Sequence, residues 1–178
     1  LVQDYTRGPV RSDNFSITMN SVDNDTPTEF LRHVVVVDGG ESLAPQFGRN
    51  IGAKKLSTGN HLLNVYALDG INNQGKAIAR LPVLIDNDAP ELAWRKKTET
   101  VLHKNSTVFE VSARDNVTTD ESTFRYNWVL TNADTFEVLH QVQSNTPRQQ
   151  FTNLPEDTPM GLTVTVSDEA GNESMLEW

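Results

Sequence analysis

The sequence predicts an all-β protein built as two similar antiparallel β-sandwiches in tandem, residues 1–87 and 88–178. Three observations carry this. Short apolar runs alternate with polar residues at period two, and no stretch has a helical period. Clusters of Gly, Pro, Asn and Asp punctuate the chain at a spacing of about 8–12 residues, the rhythm of a sandwich. The order of strands and turns before Asp86-Asn87-Asp88-Ala89-Pro90 is met again after it.

Residues 1–13 are polar, carry Gly8-Pro9, and predict a leading edge strand or loop. Phe15, Ile17 and Met19 alternate with Ser16, Thr18 and Asn20, which predicts a half-buried strand ending in the turn formers Asp23-Asn24-Asp25-Thr26-Pro27. Residues 30–37 predict the next strand, β-branched at Val34, Val35, Val36 and Val37 and turned by Asp38-Gly39-Gly40. Residues 41–55 have no period, are interrupted by Pro45, Gly48 and Gly52, and predict irregular chain with room for one short strand. Leu63, Val65 and Ala67 alternate, a turn follows over 69–75, and residues 76–85 predict a long strand reaching the joint. Pro82 cannot donate to a ladder, so that strand is expected at an edge or with a bulge.

Past the joint, Leu92-Ala93-Trp94 begins a new apolar run. Phe109, Val111 and Ala113 alternate into the loop Asp115-Asn116-Val117-Thr118-Thr119-Asp120. Phe124, Tyr126, Trp128 and Leu130 predict the next strand, Asn132-Ala133-Asp134 its turn, and residues 136–142 a further strand. A short strand at 151–154, a corner at 154–159, the alternating Leu162, Val164 and Val166, and a last strand at 173–178 complete the second half.

Composition removes several functions. Net charge is −9 and the isoelectric point about 4.8. Nucleic-acid binding rests on Lys and Arg neutralising phosphates, and attraction to anionic membranes on basic clusters, so both are disfavoured. Without cysteine there is no disulfide scaffold, thiolate nucleophile or Cys-zinc site. A cysteine-free sandwich suits the cytosol or bacterial surface and secreted proteins. No run approaches the roughly 20 apolar residues of a membrane span. Starting at Leu1 without Met or signal peptide, the chain reads as a fragment of something longer.

Several motifs resemble bacterial Ig-like and fibronectin type III-like surface repeats. Leu56-Ser57-Thr58-Gly59-Asn60-His61 followed by an alternating strand is similar to their penultimate strand, as is Val164-Thr165-Val166-Ser167 followed by Asp168-Glu169-Ala170-Gly171-Asn172. The first half departs from the closing D-x-A-G-N pattern with Asp69-Gly70-Ile71-Asn72-Asn73. Asp86-Asn87-Asp88-Ala89-Pro90 resembles the interdomain segment of such repeats. The resemblance implies two Ig-like sandwiches forming a stalk or accessory segment of an adhesin, a secreted enzyme or another envelope protein.

In such a sandwich, side-chain parity places acids at a rim. Phe109, Val111 and Ala113 face the core, so Asp115 continues on the core side; Leu162, Val164 and Val166 do the same for Asp168. Asp23 and Asp69 repeat the pattern in the first half. With the entry at Asp86, Asn87 and Asp88, the second rim gathers Asp86, the Asn87 carbonyl, Asp88, Asp115 and Asp168 as candidate calcium ligands, since calcium takes six to eight oxygens at about 2.3–2.6 Å. The competing reading is that each Asp accepts hydrogen bonds from the N–H groups of its own loop.

Other constellations are sparse. His33, His61, His103 and His140 have no metal-ligand spacing and read as packing or surface residues. Trp128 sits on a strand where sandwiches bury a tryptophan, with a sugar-stacking platform as the alternative. No G-x-S-x-G elbow and no phosphate-binding glycine motif occurs, and no carboxylate pair has a distinctive context, so no enzyme is expected. The functions that remain are a structural spacer of a bacterial surface or secreted protein with neighbouring domains as partners, an adhesin module binding a glycan or a host or cell-surface protein, and an accessory domain of a secreted hydrolase. An extracellular, cell-surface or periplasmic location follows for each, with no membrane insertion of this segment.

Overall fold

The computed structural model describes residues 2–5, 7–19, 22–40, 42–47, 50–52, 56–71, 73–95 and 105–178. The chain divides into two compact units, residues 1–87 and 88–178, each nearly all β. His103 and parts of the 41–55 segment lie outside the described residues.

In the first unit, β1 (Val2–Tyr5), β3 (Ser16–Met19) and β6 (Asn50–Gly52) form one sheet in the order β1-β3-β6. The other sheet holds β2 (Pro9–Val10), β8 (Ala79–Ile85), β7 (Gly59–Leu68), β4 (Arg32–Val37) and β5 (Ser42–Phe47), in the order β2-β8-β7-β4-β5. The leading segment thus becomes two short strands, one on each sheet, with β2 running parallel to β8. Between them the sheets enclose Phe15, Ile17, Met19, Val35, Leu63, Val65, Leu81, Val83 and Ile85. Phe15, Ile17, Met19, Leu63 and Val65 are buried as alternation requires, whereas Ala67 is only half-buried and its neighbour Leu68 is buried.

Some expected boundaries move. Residues 28–30 form a 3₁₀ turn and Phe30 is exposed, so the strand starts at Arg32. The segment after Asp38-Gly39 holds two strands rather than one. Asp38 and Gly39 have φ of 50° and 73°, the paired left-handed geometry that matches a hairpin turn to strand twist, and an Asp-Gly sequence suits it. The strand reaching the joint begins at Ala79. Pro82 lies on β8 between two sheet neighbours, yet β2 pairs only with Leu84 and Ile85, so β8 is open on that side at Pro82. The missing N–H therefore costs no ladder bond there.

The second unit repeats the plan. β9 (Glu91–Trp94), β10 (Ser106–Arg114) and β13 (Arg148–Thr152) form the sheet β13-β10-β9. β11 (Arg125–Asn132), β12 (Val138–Ser144), β14 (Met160–Ser167) and β15 (Glu173–Glu177) form the sheet β12-β11-β14-β15. Trp128, fully buried, fills the core with Phe109, Phe124, Phe151, Leu162 and Val164, as the core reading of Trp128 requires. Trp94 and Trp178 both pack on Phe109, at centroid distances of 6.1 and 5.1 Å. Phe136 is not in the strand expected over residues 136–142, which starts at Val138; it stands in the β11–β12 loop at φ 61° and is 80% exposed.

Candidate functional site

Each unit carries two carboxylate loops at one end of its sandwich, and both loops are built the same way in the two halves. The first loop leaves β3 or β10. Asp23 Oδ1 accepts from the N–H groups of Asp25 and Thr26, at 3.0 and 2.8 Å. Asp115 Oδ1 accepts from Val117 and Thr118 at 2.8 and 2.6 Å. The sequences are Asp23-Asn24-Asp25-Thr26 and Asp115-Asn116-Val117-Thr118, a repeated D-N-x-T. The aspartate folds the loop by standing in for a backbone acceptor.

The second loop leaves β7 or β14. Asp69 Oδ1 accepts from Asn73 N–H at 2.8 Å, and Oδ2 from the Asn73 amide at 2.7 Å. Asp168 and Asn172 do the same, at 2.8 and 3.0 Å. In both, the Asp N–H returns to the Asn carbonyl. The first half therefore keeps the Asp and Asn four residues apart, although the residues between them depart from the motif. The two carboxylates that face the N–H groups of their own loops in the first unit, Asp23 and Asp69, are held below their ordinary value, chiefly by the Asp25 and Asn73 N–H groups respectively.

The predicted calcium ligands distribute as follows. In the second unit, Asp115 and Asp168 each offer a carboxylate oxygen within 4.8 Å of the other's. Asp168 is buried, Asp115 half-buried, and Asp88 accepts from the Asn116 amide at 2.9 Å. Asp86 and Asn87 belong to the first unit. Asp86 is buried, and its N–H donates to Val10 O at 3.0 Å. Asn87 is a clamp: its amide donates to Leu56 O at 2.9 Å, its Oδ1 accepts from Ser12 N–H at 2.9 Å, and its own N–H donates to Thr58 Oγ1 at 3.1 Å. It ties the end of β8 to two other segments of its unit. Hydrogen bonding orients the Asp115 and Asp168 carboxylates but does not exhaust them, because each carboxylate has about four lone-pair sites.

A polar pair that sequence reasoning missed lies on the first unit. Asp38, in the hairpin turn, accepts from Leu62 N–H at 2.7 Å and meets His61 Nδ1 at 2.8 Å. His61 Nε2 lies 2.7 Å from Ser57 O. Two acceptors on the two ring nitrogens suit the doubly protonated ring. Burial opposes that charge, but the Asp38 carboxylate and Ser57 carbonyl outweigh it, and the His61 pKa is raised. The partners are 23 residues apart, so only the strand pairing of β4 with β7 reveals them.

The first unit also has a cleft of about 730 Å³ lined by Asp23, Asp25, Phe30, Arg32, Asp69 and Ile71, among others. Phe30 and Ile71 are exposed beside its acids.

This architecture defines both units as Ig-like, fibronectin III-like β-sandwiches. No protein-family model matches the chain and no curated protein matches it significantly. Among solved structures, it is similar to the fibronectin(III)-like modules of CbhA from Clostridium thermocellum, with TM-score 0.50 and 12% identity over 99% of this chain and 90% of that one. It is also similar to the FN1-FN3 domains of chicken CNTN1, at TM-score 0.44 and 16% identity over 99% and 66% of the two chains. The first likeness, at this identity, speaks to fold alone. No helix among the described residues is long and apolar enough to cross a membrane.

Proposed function

We propose that this chain is a non-enzymatic spacer within a larger bacterial surface or secreted protein, holding neighbouring domains apart outside the cell. The observation that carries the reading is where the rim chemistry goes. Asp23, Asp69, Asp115 and Asp168 each hold N–H groups of their own loops, and Asn87 closes its own unit. These polar side chains act on the architecture that carries them. The fold likeness to bacterial fibronectin(III)-like modules agrees with a module of a longer chain.

Of the expected calcium ligands, Asp88, Asp115 and Asp168 of the second unit are proposed to bind the ion at that unit's rim. What supports this is the approach of the Asp115 and Asp168 carboxylate oxygens in the second unit, a set of oxygen donors of the kind calcium takes.

A second reading, an adhesin module, is favoured by the first unit's acidic cleft with its exposed Phe30 and Ile71; a third, an accessory domain of a secreted hydrolase, is decided by the sequence of the full-length protein. A glycan array and a pull-down from cell-surface proteins separate the two readings. The spacer predicts no specific binding. Specific capture abolished by Phe30→Ala and Ile71→Ser would establish the adhesin instead.

A further inference from the structure

Sheet edges differ in how they are guarded. An edge strand presents a row of N–H and C=O groups, and proteins blunt it with charge, proline or shortness. In this chain β1 carries Asp4, β5 Pro45, β9 Glu91, β13 Arg148, and β15 both Glu173 and Glu177, while β2 and β6 are three residues or shorter. β12, Val138-Leu139-His140-Gln141-Val142-Gln143-Ser144, is the exception among the described residues: an edge of seven residues with no Asp, Glu, Lys, Arg or Pro. Its one bulge lies near its start, against Leu130 and Thr131, and leaves residues 140–144 in regular register with β11.

The loop leading into β12 adds an anchor. Asn132 Oδ1 accepts from Asp134 and Thr135 N–H, Asn132 O accepts from Phe136 N–H, and Asn132 N–H donates to Glu137 O. This set holds Phe136 in the left-handed region, which a bulky side chain rarely adopts. It also leaves the ring 80% exposed, with Val138 exposed beside it. A strained backbone that presents an aromatic to solvent suits a contact surface.

We infer that β12 is a self-association edge, pairing antiparallel with β12 of a second copy about a twofold axis. The occupant follows from charge. Antiparallel pairing centred on Gln141 sets Gln141 against Gln141, His140 against Val142, Leu139 against Gln143 and Val138 against Ser144. No acid meets an acid, although each chain carries −9 overall. The same operation on β15 would oppose Glu173 to Glu177. Phe136, exposed just before the start of β12, lies beside this edge rather than in its ladder. The contact is a weak one of small area, and salt strengthens it by screening the repulsion between two acidic chains.

The chain has no cysteine, so one introduced cysteine gives a clean readout. Gln141→Cys in the full chain should form a disulfide dimer many-fold faster than Met175→Cys, which is exposed on β15. Sedimentation of the native chain should show a dimer that grows with concentration and salt. Gln141→Lys, which opposes two ammonium groups, should weaken that dimer at least tenfold, and Phe136→Gly should weaken it while leaving the melting temperature unlowered. A monomer at every concentration, equal cross-linking at 141 and 175, or a dimer indifferent to Gln141→Lys overturns the inference.

Discussion

The interactions that matter most at single residues are carboxylates caught by N–H groups. Asp168 is the best enclosed of them, and its partner Asn172 is buried with it. Asp168→Ala leaves the Asn172 N–H groups without that acceptor, an expected loss of about 1–3 kcal/mol by chemical denaturation. An unchanged denaturation midpoint would show that the loop is held by its backbone alone. His61 makes the first unit pH-sensitive. Its folded pKa is raised from the ordinary 6.5. Its stabilisation is therefore complete below about pH 6.5 and is lost as pH rises through the folded value. Asp23 and Asp69 behave oppositely: lowered from 3.8, they stabilise above that value and cease to as pH falls through their folded values. Melting curves of the first unit should decline on the alkaline side in the native protein, and His61→Gln should remove that decline. A decline that persists in His61→Gln would assign it elsewhere. The aspartates of these loops were readable from the sequence by parity. The His61–Asp38 pair was not, because only strand register brings them together.

At the level of elements, period two was a reliable guide wherever one face is buried. Phe109, Val111 and Ala113, and likewise Leu63 and Val65, stand in the cores as alternation requires. Strand ends moved where no core contact fixes them. Phe30 and Phe136 open the strands expected at residues 30–37 and 136–142, yet one lies in a 3₁₀ turn and the other in a left-handed loop position. Nothing local in the sequence marks a positive φ at phenylalanine. The splitting of the leading segment between two sheets was equally hidden, since β2 is two residues long and its partner β8 is some 75 residues away in sequence (Pro9 pairs Leu84). The D-N-x-T repeat, by contrast, was present in the letters, and aligning the two halves on it would have paired the carboxylate loops directly. Phe109 is the hub of the second core, contacting Trp94, Phe151 and Trp178. Phe109→Ala should cost about 3–5 kcal/mol, confined to the second unit's unfolding transition. A loss below 1 kcal/mol would mean that β9 and β15 close over the gap.

The whole molecule is proposed to be a spacer of two sandwiches of one plan, with a calcium-binding rim on the second. Extracellular calcium modules bind at about 10⁻⁴–10⁻³ M, and a free concentration tenfold above Kd adds roughly 1.4 kcal/mol. Calorimetric titration of the full chain should show one such site, abolished by Asp115→Asn together with Asp168→Asn, with a matching loss of melting temperature in EDTA. Absence of heat and of any melting shift would reduce the rim aspartates to loop acceptors and leave the spacer without a calcium site. The central claim is the spacer role itself, and it is tested most directly by exchange. Residues 1–178 are replaced in the parent protein by an unrelated two-domain segment of equal span, and the activity or ligand binding of the parent is measured. The account predicts that function is retained within about twofold, far less than the tenfold that 1.4 kcal/mol of lost binding would produce; loss of ligand binding on exchange would contradict it.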